Sequence, residues 1–202
     1  MAADLRGFIS EGGAGVLQYQ FCSGETLGRE LFPIEDKTLN RSLAAGVNAV
    51  RSIMLHRYRP LYVEVRGVRG KTNVTVNQFQ RALGTVESCK SLPRDIQSNI
   101  RLHASGQAPV WRLVATDASA LLELPDKVSM KLPAAAFKSA GSDRVAKGAP
   151  QQTYEMQSID GTAISVGVNP QMCTDGRSET AYGARVSLQV QKLTLQGCAA
   201  RF

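Results

Sequence analysis

Short runs of alternating apolar and polar residues fill most of the chain and predict a protein built mainly of β-strands. One stretch differs, because its apolar residues recur every three or four positions, which is the spacing of an amphipathic helix. This apolar stripe consists of Leu39, Leu43, Val47, Val50 and Met54. We expect a helix of about 17 residues here, capped by Asp36 or Thr38 and ended before Pro60.

The order of elements in the first part of the chain predicts a particular barrel. Strand-like runs at residues 6–9, 15–21 and 28–33 precede the helix, and runs at 61–66, 74–79 and 82–86 follow it. Three strands, one helix and then further strands are the order of a five-stranded barrel of the OB type. We therefore predict an OB-like five-stranded barrel with one helix over residues 4–90.

The second part of the chain shows no convincing helical period. Its strand-length runs, separated by turn residues, lie at 100–103, 110–116, 120–124, 128–132, 153–157, 163–168 and 186–195. The composition of residues 91–98 predicts a linker, and residues 99–202 predict a second small all-β barrel or sandwich. Residues 137–152 are rich in Ala, Gly, Ser and Lys and predict a mobile loop.

Four widely spaced cysteines indicate a disulfide framework, because none forms the Cys-x-x-Cys pair of zinc or redox sites. We expect Cys22 to pair with Cys89 and Cys173 with Cys198, each pair bracketing one predicted domain. Such bonds persist in a periplasm or outside the cell, so the chain is predicted to be exported. No signal peptide follows Met1, and we expect the export segment to lie upstream of it.

Composition and charge exclude some classes of protein and suggest a binding face. With 43% hydrophobic and 20% charged residues the chain is neither disordered nor, lacking an apolar run of about 18 residues, membrane-spanning. The net charge of +7 is spread evenly over both halves. The possible partner-binding residues are Arg57, Arg59, Arg66, Arg69 and Lys71. An OB-type domain could also use such residues to bind single-stranded nucleic acid.

The residue types needed for catalysis or metal binding are sparse. Only His56 and His103 are present, whereas a zinc site needs about four ligands and a histidine-based triad needs a positioned nucleophile. Ser178 has no base nearby in the sequence, and Trp111 lies in an apolar run typical of a core position. We expect no catalytic residues, no metal and no cofactor.

Several features of the first part occur together in one known family. They are Gly7-Phe8, residues 20–24 (Gln-Phe-Cys-Ser-Gly), the amphipathic helix, residues 60–67 (Pro-Leu-Tyr-Val-Glu-Val-Arg-Gly) and a closing Glu87-Ser88-Cys89. Residues from about 5 to 91 thereby resemble the OB-type C-terminal domain of NlpE-like outer-membrane lipoproteins. The metal-associated Cys-x-x-Cys of that family's N-terminal domain is absent here, so the resemblance implies no copper role.

The second part carries two further motifs. Residues 106–111 read Gly-Gln-Ala-Pro-Val-Trp and end at Trp111, and residues 173–178 read Cys-Thr-Asp-Gly-Arg-Ser, with Asp175 and Gly176 at the centre. Tyr182 and Gly197 follow. The motifs resemble the Gly-x-Glu-Pro-Phe-Trp and Cys-x-Asp-Gly-Met-Ser followed by Gly-Cys of a family of uncharacterised bacterial envelope lipoproteins. Ala108 replaces the glutamate of the first motif, and Arg177 replaces the methionine of the second. The resemblance therefore implies no function that depends on those two side chains.

The two resemblances imply a location and a class of function. We expect a non-catalytic periplasmic or outer-membrane lipoprotein, tethered through an upstream lipid anchor, that binds or senses another envelope component. Its contact would be the basic face of the first domain or the loop at residues 137–152. One alternative is an inhibitor of a host lysozyme or protease, although the positive charge would repel a basic lysozyme. A second alternative is an OB-type single-stranded nucleic-acid binder, which an exported location disfavours.

Overall fold

The computed structural model describes residues 2–91, 100–125, 128–141, 152–176 and 178–201. Most of the predicted linker and residues 142–151 of the predicted loop lie outside these ranges, as does Arg177. The start of the predicted mobile loop is wrong, because Ala134–Gly141 is a 3-10 helix and Phe137 is buried in a hydrophobic core. The described chain is mostly β-structure with one α-helix, as predicted, and its strands form two sheets. No helix in the described ranges has the length and apolar character needed to cross a membrane.

Six strands and the helix come from the first part of the chain. They are β1 (Ala3–Glu11), β2 (Leu17–Ser23), β3 (Thr26–Leu27), β4 (Phe32–Asp36), α1 (Ser42–Ile53), β5 (Leu61–Arg69) and β6 (Val74–Leu83). The predicted runs 74–79 and 82–86 are wrong as two strands, because Val74–Leu83 is one continuous strand. Register shifts near Glu64 and Arg66 let the long β5 and β6 stay paired while they curve.

Five of these strands close into a ring. Strand β1 pairs with β5, β5 with β6, β6 with β4, β4 with β2, and β2 again with β1. All pairs are antiparallel except β4 with β6, and α1 lies between the third and fourth ring strands in the sequence. This is the five-stranded Greek-key barrel of the OB type. The predicted OB-like barrel with one helix is therefore confirmed.

The helix is shorter than predicted and begins later. Asn40 and Arg41 have positive φ angles of 53° and 51°, so residues 39–41 form a separate 3-10 turn before the helix starts at Ser42. Both predicted caps act on the first turn. The Asp36 carboxylate accepts from the Ala44 amide at 3.1 Å, and the Thr38 hydroxyl accepts from the Leu43 amide at 3.2 Å.

The second part of the chain forms an eight-stranded antiparallel sheet. Its strands are β7 (Ile100–Gln107), β8 (Val110–Thr116), β9 (Ala120–Glu123), β10 (Ser129–Leu132), β11 (Gln152–Gln157), β12 (Ala163–Asn169), β14 (Ala184–Val190) and β15 (Leu193–Arg201). Most pair with their neighbours in the chain, and β15 returns to pair with β7, so the sheet is a nearly closed barrel. In the turn after β11 the Ile159 amide donates to the Lys131 carbonyl of β10 at 3.1 Å.

The predicted strand at 186–195 is wrong, because this stretch is a hairpin. Strands β14 and β15 pair with each other around Gln191 and Lys192, and Gln191 has a positive φ of 53°. Alternating apolar residues continue on both sides of the turn, and no glycine or asparagine marks it. The only sign of the reversal in this stretch is a shift of one residue in the phase of the alternation, between Val190 and Leu193.

The two barrels are joined by a strand that the sequence pattern does not reveal. Strand β13 (Thr180–Tyr182) comes from the second part of the chain but pairs with β6 of the first sheet. The Gly183 amide donates to the Gln80 carbonyl at 2.7 Å. A Cβ at Gly183 would lie 1.8 Å from the Phe79 carbonyl oxygen, so only glycine allows this close approach.

Candidate binding surface of the first barrel

Both predicted disulfides are present in the structure. Cys22 bonds Cys89 and fastens β2 to the segment that follows β6, and Cys173 bonds Cys198 and fastens the 173–182 turn to β15. There is no free cysteine in the described part of the chain. Two such bonds are characteristic of an oxidising, extracytoplasmic compartment. The predicted location outside the cytoplasm is therefore confirmed, and the attachment to an outer membrane stays a prediction.

The motif residues of the second part have structural positions. Trp111 lies in the core of the barrel and its indole N–H donates to the Gln196 carbonyl at 3.1 Å. A Cβ at Gly197 would come within 2.8 Å of the Trp111 ring and 2.1 Å of the Ser105 carbonyl oxygen, so glycine is required there. The tryptophan and the glycine thus form one packing unit.

The turn between Cys173 and Tyr182 is built by its own side chains. The Asp175 carboxylate accepts from the Ser178 amide at 2.8 Å, and Gly176 takes a positive φ of 69°. Cys173 and Tyr182 exchange two backbone hydrogen bonds of 2.9 Å and 2.8 Å. These contacts explain the motif as a closed turn braced by the disulfide.

The five predicted partner-binding residues do not form one patch. Arg57 and Arg59 lie in the turn that precedes β5, whereas Arg69 and Lys71 lie at its far end. Since β5 spans Leu61–Arg69, the two ends are about 26 Å apart at the usual rise per residue. Arg66 lies between them, half-buried. The basic residues therefore belong to two opposite ends of the first barrel.

The helix marks one of these two ends. Arg51, in the last turn of α1, pairs with Glu11 at the end of β1 with 2.6 Å between its Nη1 and the carboxylate. Leu61 at the start of β5 pairs with Ile9 at the same end of the sheet. We call the opposite end the distal rim and define it by Arg29, Glu30, Leu31, Arg69 and Lys71.

An arginine stacked on two aromatic rings closes the barrel at the distal rim. The Arg69 guanidinium lies 4.7 Å from the ring centroids of both Phe21 and Phe32, and its Nη2 is 3.1 Å from the Glu30 carboxylate. The two rings meet edge to face at 5.3 Å. Each contact is a favourable cation–π or aromatic arrangement. Arg69 is therefore held in place although about half of its side chain is exposed.

Further exposed groups surround this stack. Leu31 and Val68 are exposed apolar side chains that adjoin Phe32 and Arg69 in the chain. Arg29 and Lys71 are exposed cations, and no hydrogen bond or ion pair holds either of them in the described part of the chain. The distal rim thus combines apolar surface with an excess of positive charge. Such mixtures of arginine and apolar anchors are typical of protein interfaces.

A second polar cluster lies on the barrel wall and is buried. Glu64 and Arg81 are 1% and 2% exposed, and the carboxylate accepts from the Arg81 Nε at 2.6 Å. Tyr62 donates its hydroxyl to Glu64 at 3.0 Å, and the Arg6 Nε lies 3.8 Å from the same carboxylate. Arg81 is on β6, which β13 and β15 contact. The Glu64–Arg81 ion pair is therefore buried in the wall, and Arg6 lies at its partly exposed edge.

Burial changes the acidity of two tyrosines near this cluster. Burial is the main cause that raises the pKa of Tyr62, and the neighbouring Glu64 carboxylate adds to it. The pKa of Tyr19 is also raised, chiefly by burial and then by Tyr62 and Glu64. Both phenols therefore remain protonated at neutral pH. The Tyr19 hydroxyl is buried without a hydrogen-bond partner in the described structure.

In the second barrel a cleft of about 450 Å³ is lined by Val110, Trp111, Arg112, Glu123, Leu124, Pro125 and Ser129. Within the described ranges, no group of three or more histidine, cysteine or acidic side chains could hold a metal ion. At the distal rim, exposed apolar and basic side chains surround an arginine that is stacked on two aromatic rings.

Comparisons of the chain with protein-family models, with curated proteins and with solved structures found no match. The resemblances to the two lipoprotein families therefore stay predictions. Fold and surface together define a disulfide-braced protein of two β-barrels, the first of the OB type, with an arginine-centred surface at one end.

Proposed function

We propose that this chain is a non-catalytic binding protein of the bacterial envelope, which recognises an acidic segment of another envelope protein at its distal rim. In the same proposal the protein is a periplasmic lipoprotein held at the outer membrane. The resemblances in the sequence support the tether, and the two disulfides support the compartment.

The observation that carries the proposal is the arrangement around Arg69. Its guanidinium is fixed by Phe21, Phe32 and Glu30, so little side-chain entropy is lost when a partner covers it. Leu31 beside it offers an apolar anchor. A fixed arginine beside an apolar side chain is the usual composition of an interface hot spot.

The charges at this end favour an acidic partner. Glu30 already neutralises Arg69, and the cations left over are Arg29 and Lys71. Exposed charges at the edge of an interface mainly speed association and select partners of opposite sign. An acidic segment with one apolar side chain could pair with Arg29 and Lys71 and also pack against Leu31.

The test is capture of a partner from envelope extract by the immobilised protein. Reversing two charges, Arg29→Glu with Lys71→Glu, leaves the Arg69 stack intact and should lower capture of the partner at least about tenfold at low salt. The matched control is Arg185→Glu with Lys192→Glu, which makes the same charge change at exposed positions of the second barrel. This control should capture as much as the unchanged protein.

Two results would contradict the proposal. Equal loss of capture in both double variants would show that overall charge, and not the distal rim, attracts the partner. A gel shift of single-stranded DNA at low salt that only the distal-rim variant loses would assign the same surface to nucleic acid.

A further inference from the structure

The other end of the first barrel carries the two most exposed large apolar side chains of the described chain. Leu55 is 89% exposed and Tyr58 is 92% exposed. Both belong to residues 55–60, which join α1 to β5 and which we call the apolar turn. Single exposed apolar residues are ordinary on protein surfaces, but two of them in one short turn require an explanation.

The apolar turn is held in a defined shape at both sides. Met54 before it is buried in the barrel core, and Leu61 after it is fully buried at the start of β5. Within the turn the Arg59 amide donates to the His56 carbonyl at 3.1 Å. The exposed side chains therefore project from a fixed backbone, which lowers the entropy that binding would cost.

A second loop brings another apolar side chain to this end. Val16 is 44% exposed and lies in the connection between β1 and β2. The ion pair between Arg51 of α1 and Glu11 ties that connection to the helix, and the apolar turn begins where the helix ends. Apolar tips thus come from two separate loops at the same end.

Two arginines at this end are held in ion pairs, and a third is not. Arg51 pairs with Glu11 at 2.6 Å, and Arg59 pairs with Glu87 at 3.1 Å. Arg57, at the tip of the turn beside Tyr58, has no carboxylate within ion-pair distance in the described part of the chain. The tip therefore presents tyrosine, leucine and an arginine side by side.

We propose that the apolar turn inserts into the surface of a lipid bilayer, with Leu55 and Tyr58 among the upper acyl chains and Arg57 at the headgroups. Tyrosine is enriched at the membrane interface, and arginine extends its charged head to the headgroups. The two side chains expose about 300 Å². A stable protein interface needs about 800 Å² on each partner, whereas a bilayer accepts isolated side chains one at a time.

This inference does not rest on the distal rim. The two surfaces lie at opposite ends of β5, so a protein attached by the apolar turn would present the distal rim away from the membrane. Either proposal can therefore fail while the other stands.

The experiment is co-sedimentation of the full chain with lipid vesicles. Vesicles of phosphatidylethanolamine with phosphatidylglycerol should bind the protein, and vesicles of phosphatidylcholine should bind it less because Arg57 lacks anionic headgroups there. The double variant Leu55→Ser, Tyr58→Ser should bind the vesicles at least about tenfold more weakly, because most of the inserted apolar area is removed. Val110→Ser with Ile159→Ser, which removes exposed apolar side chains from the second barrel, is the matched control and should leave partition unchanged.

Three results would overturn the inference. The first would be that the unchanged protein does not sediment with either kind of vesicle. The second would be that the control variant loses as much binding as the Leu55 and Tyr58 variant. The third is self-association in analytical ultracentrifugation that only the Leu55 and Tyr58 variant loses, which would make the turn a contact between copies of the chain. All four substituted positions are exposed, and equal thermal unfolding of the variants checks that their fold is unchanged.

Discussion

The two barrels differ in the polar side chains that they bury. Buried polar or charged side chains of the first barrel and its helix are Thr38, Ser42, Arg51, Glu64, Gln80 and Arg81. In the second barrel, over the residues that the structure describes, only Ser158 belongs to this class. Its core is otherwise a continuous apolar cluster.

For Glu64, Gln80 and Arg81, which lie on β5 and β6, this difference follows from how the barrels are joined. The second part of the chain adds β13 to the edge of β6, and β15 also contacts β6. Part of the outer wall of the first barrel is thereby covered, and the polar side chains on it must satisfy one another. Its two ends carry the distal rim and the apolar turn. Both proposed binding surfaces therefore lie at the ends of the first barrel, away from the covered part of its wall.

The largest expected effect comes from breaking the buried ion pair of the first barrel. Glu64→Leu leaves the Arg81 guanidinium buried without its carboxylate and should lower the free energy of unfolding by about 3–5 kcal/mol. Adding Arg81→Leu should restore much of this loss, because an apolar pair replaces the ion pair. Urea unfolding followed by circular dichroism measures both.

The matching change in the second barrel is Leu188→Ala, which creates a cavity in the apolar core and should cost about 2–5 kcal/mol. No single second substitution should rescue it as Arg81→Leu rescues Glu64→Leu. Equal rescue in both barrels, or no rescue in the first, would contradict the view that the first barrel depends on a buried ion pair and the second on apolar packing.

The disulfides should stabilise the two barrels to slightly different extents. The Cys22–Cys89 bond closes a longer loop than the Cys173–Cys198 bond, with sequence separations of 67 and 25. Replacing both cysteines of a bond by alanine should therefore cost about 4 kcal/mol for the first and about 3.5 kcal/mol for the second. Denaturant midpoints of the two double variants measure the order, and a reversed order would mean that unfolded-state structure outweighs loop length.

Alkaline pH should affect the first barrel more than the second. Tyr19 and Tyr62 in the first barrel and Tyr154 in the second have raised pKa values, each mainly because of burial. Above about pH 10 the unfolded chain loses these protons while the folded chain keeps them, so stability falls as pH rises. Each tyrosine contributes a slope of about 1.4 kcal/mol per pH unit.

The double variant Tyr19→Phe, Tyr62→Phe should reduce the slope of the unfolding free energy against pH by about 2.7 kcal/mol per pH unit. The single variant Tyr154→Phe should reduce it by about half as much. Urea unfolding at several pH values between 9 and roughly 11.5 gives both slopes. An unchanged slope in the double variant would mean that these two phenols ionise as readily in the folded chain as in the unfolded one.

The smallest effect concerns the helix cap. Asp36→Ala removes the carboxylate that accepts from the Ala44 and Thr38 amides and should cost about 1 kcal/mol. Asp36→Asn keeps one acceptor oxygen and should cost less. Thermal unfolding measures the difference, and equal losses for the two variants would show that the capping hydrogen bond contributes little.

The period of apolar residues and the order of elements were sufficient to predict the barrel type and the single helix. They failed where the backbone takes unusual angles, at Asn40, Arg41 and Gln191, because no glycine marks these positions. They also missed β13, since three residues are too few to show a period and its partner strand lies in the other part of the chain.

The candidate surface could be predicted only in part. The basic residues were visible in the sequence, but the curvature and length of β5 place them at two ends of the barrel. The stack of Arg69 on Phe21 and Phe32 joins three distant segments and depends on barrel closure. Likewise, the exposure of Leu55 and Tyr58 follows from where the helix ends, and the apolar pattern alone assigns such residues to a core.

The most direct test of the central claim places a photo-reactive amino acid in the protein within the cells that naturally produce it. One position is Leu31 on the distal rim, and the control position is Val110, which is similarly exposed on the second barrel. The proposal predicts a covalent adduct with one acidic envelope protein from position 31, lost when Arg29 and Lys71 are reversed to glutamate. No adduct at position 31, or the same adduct from both positions, would contradict recognition by the distal rim.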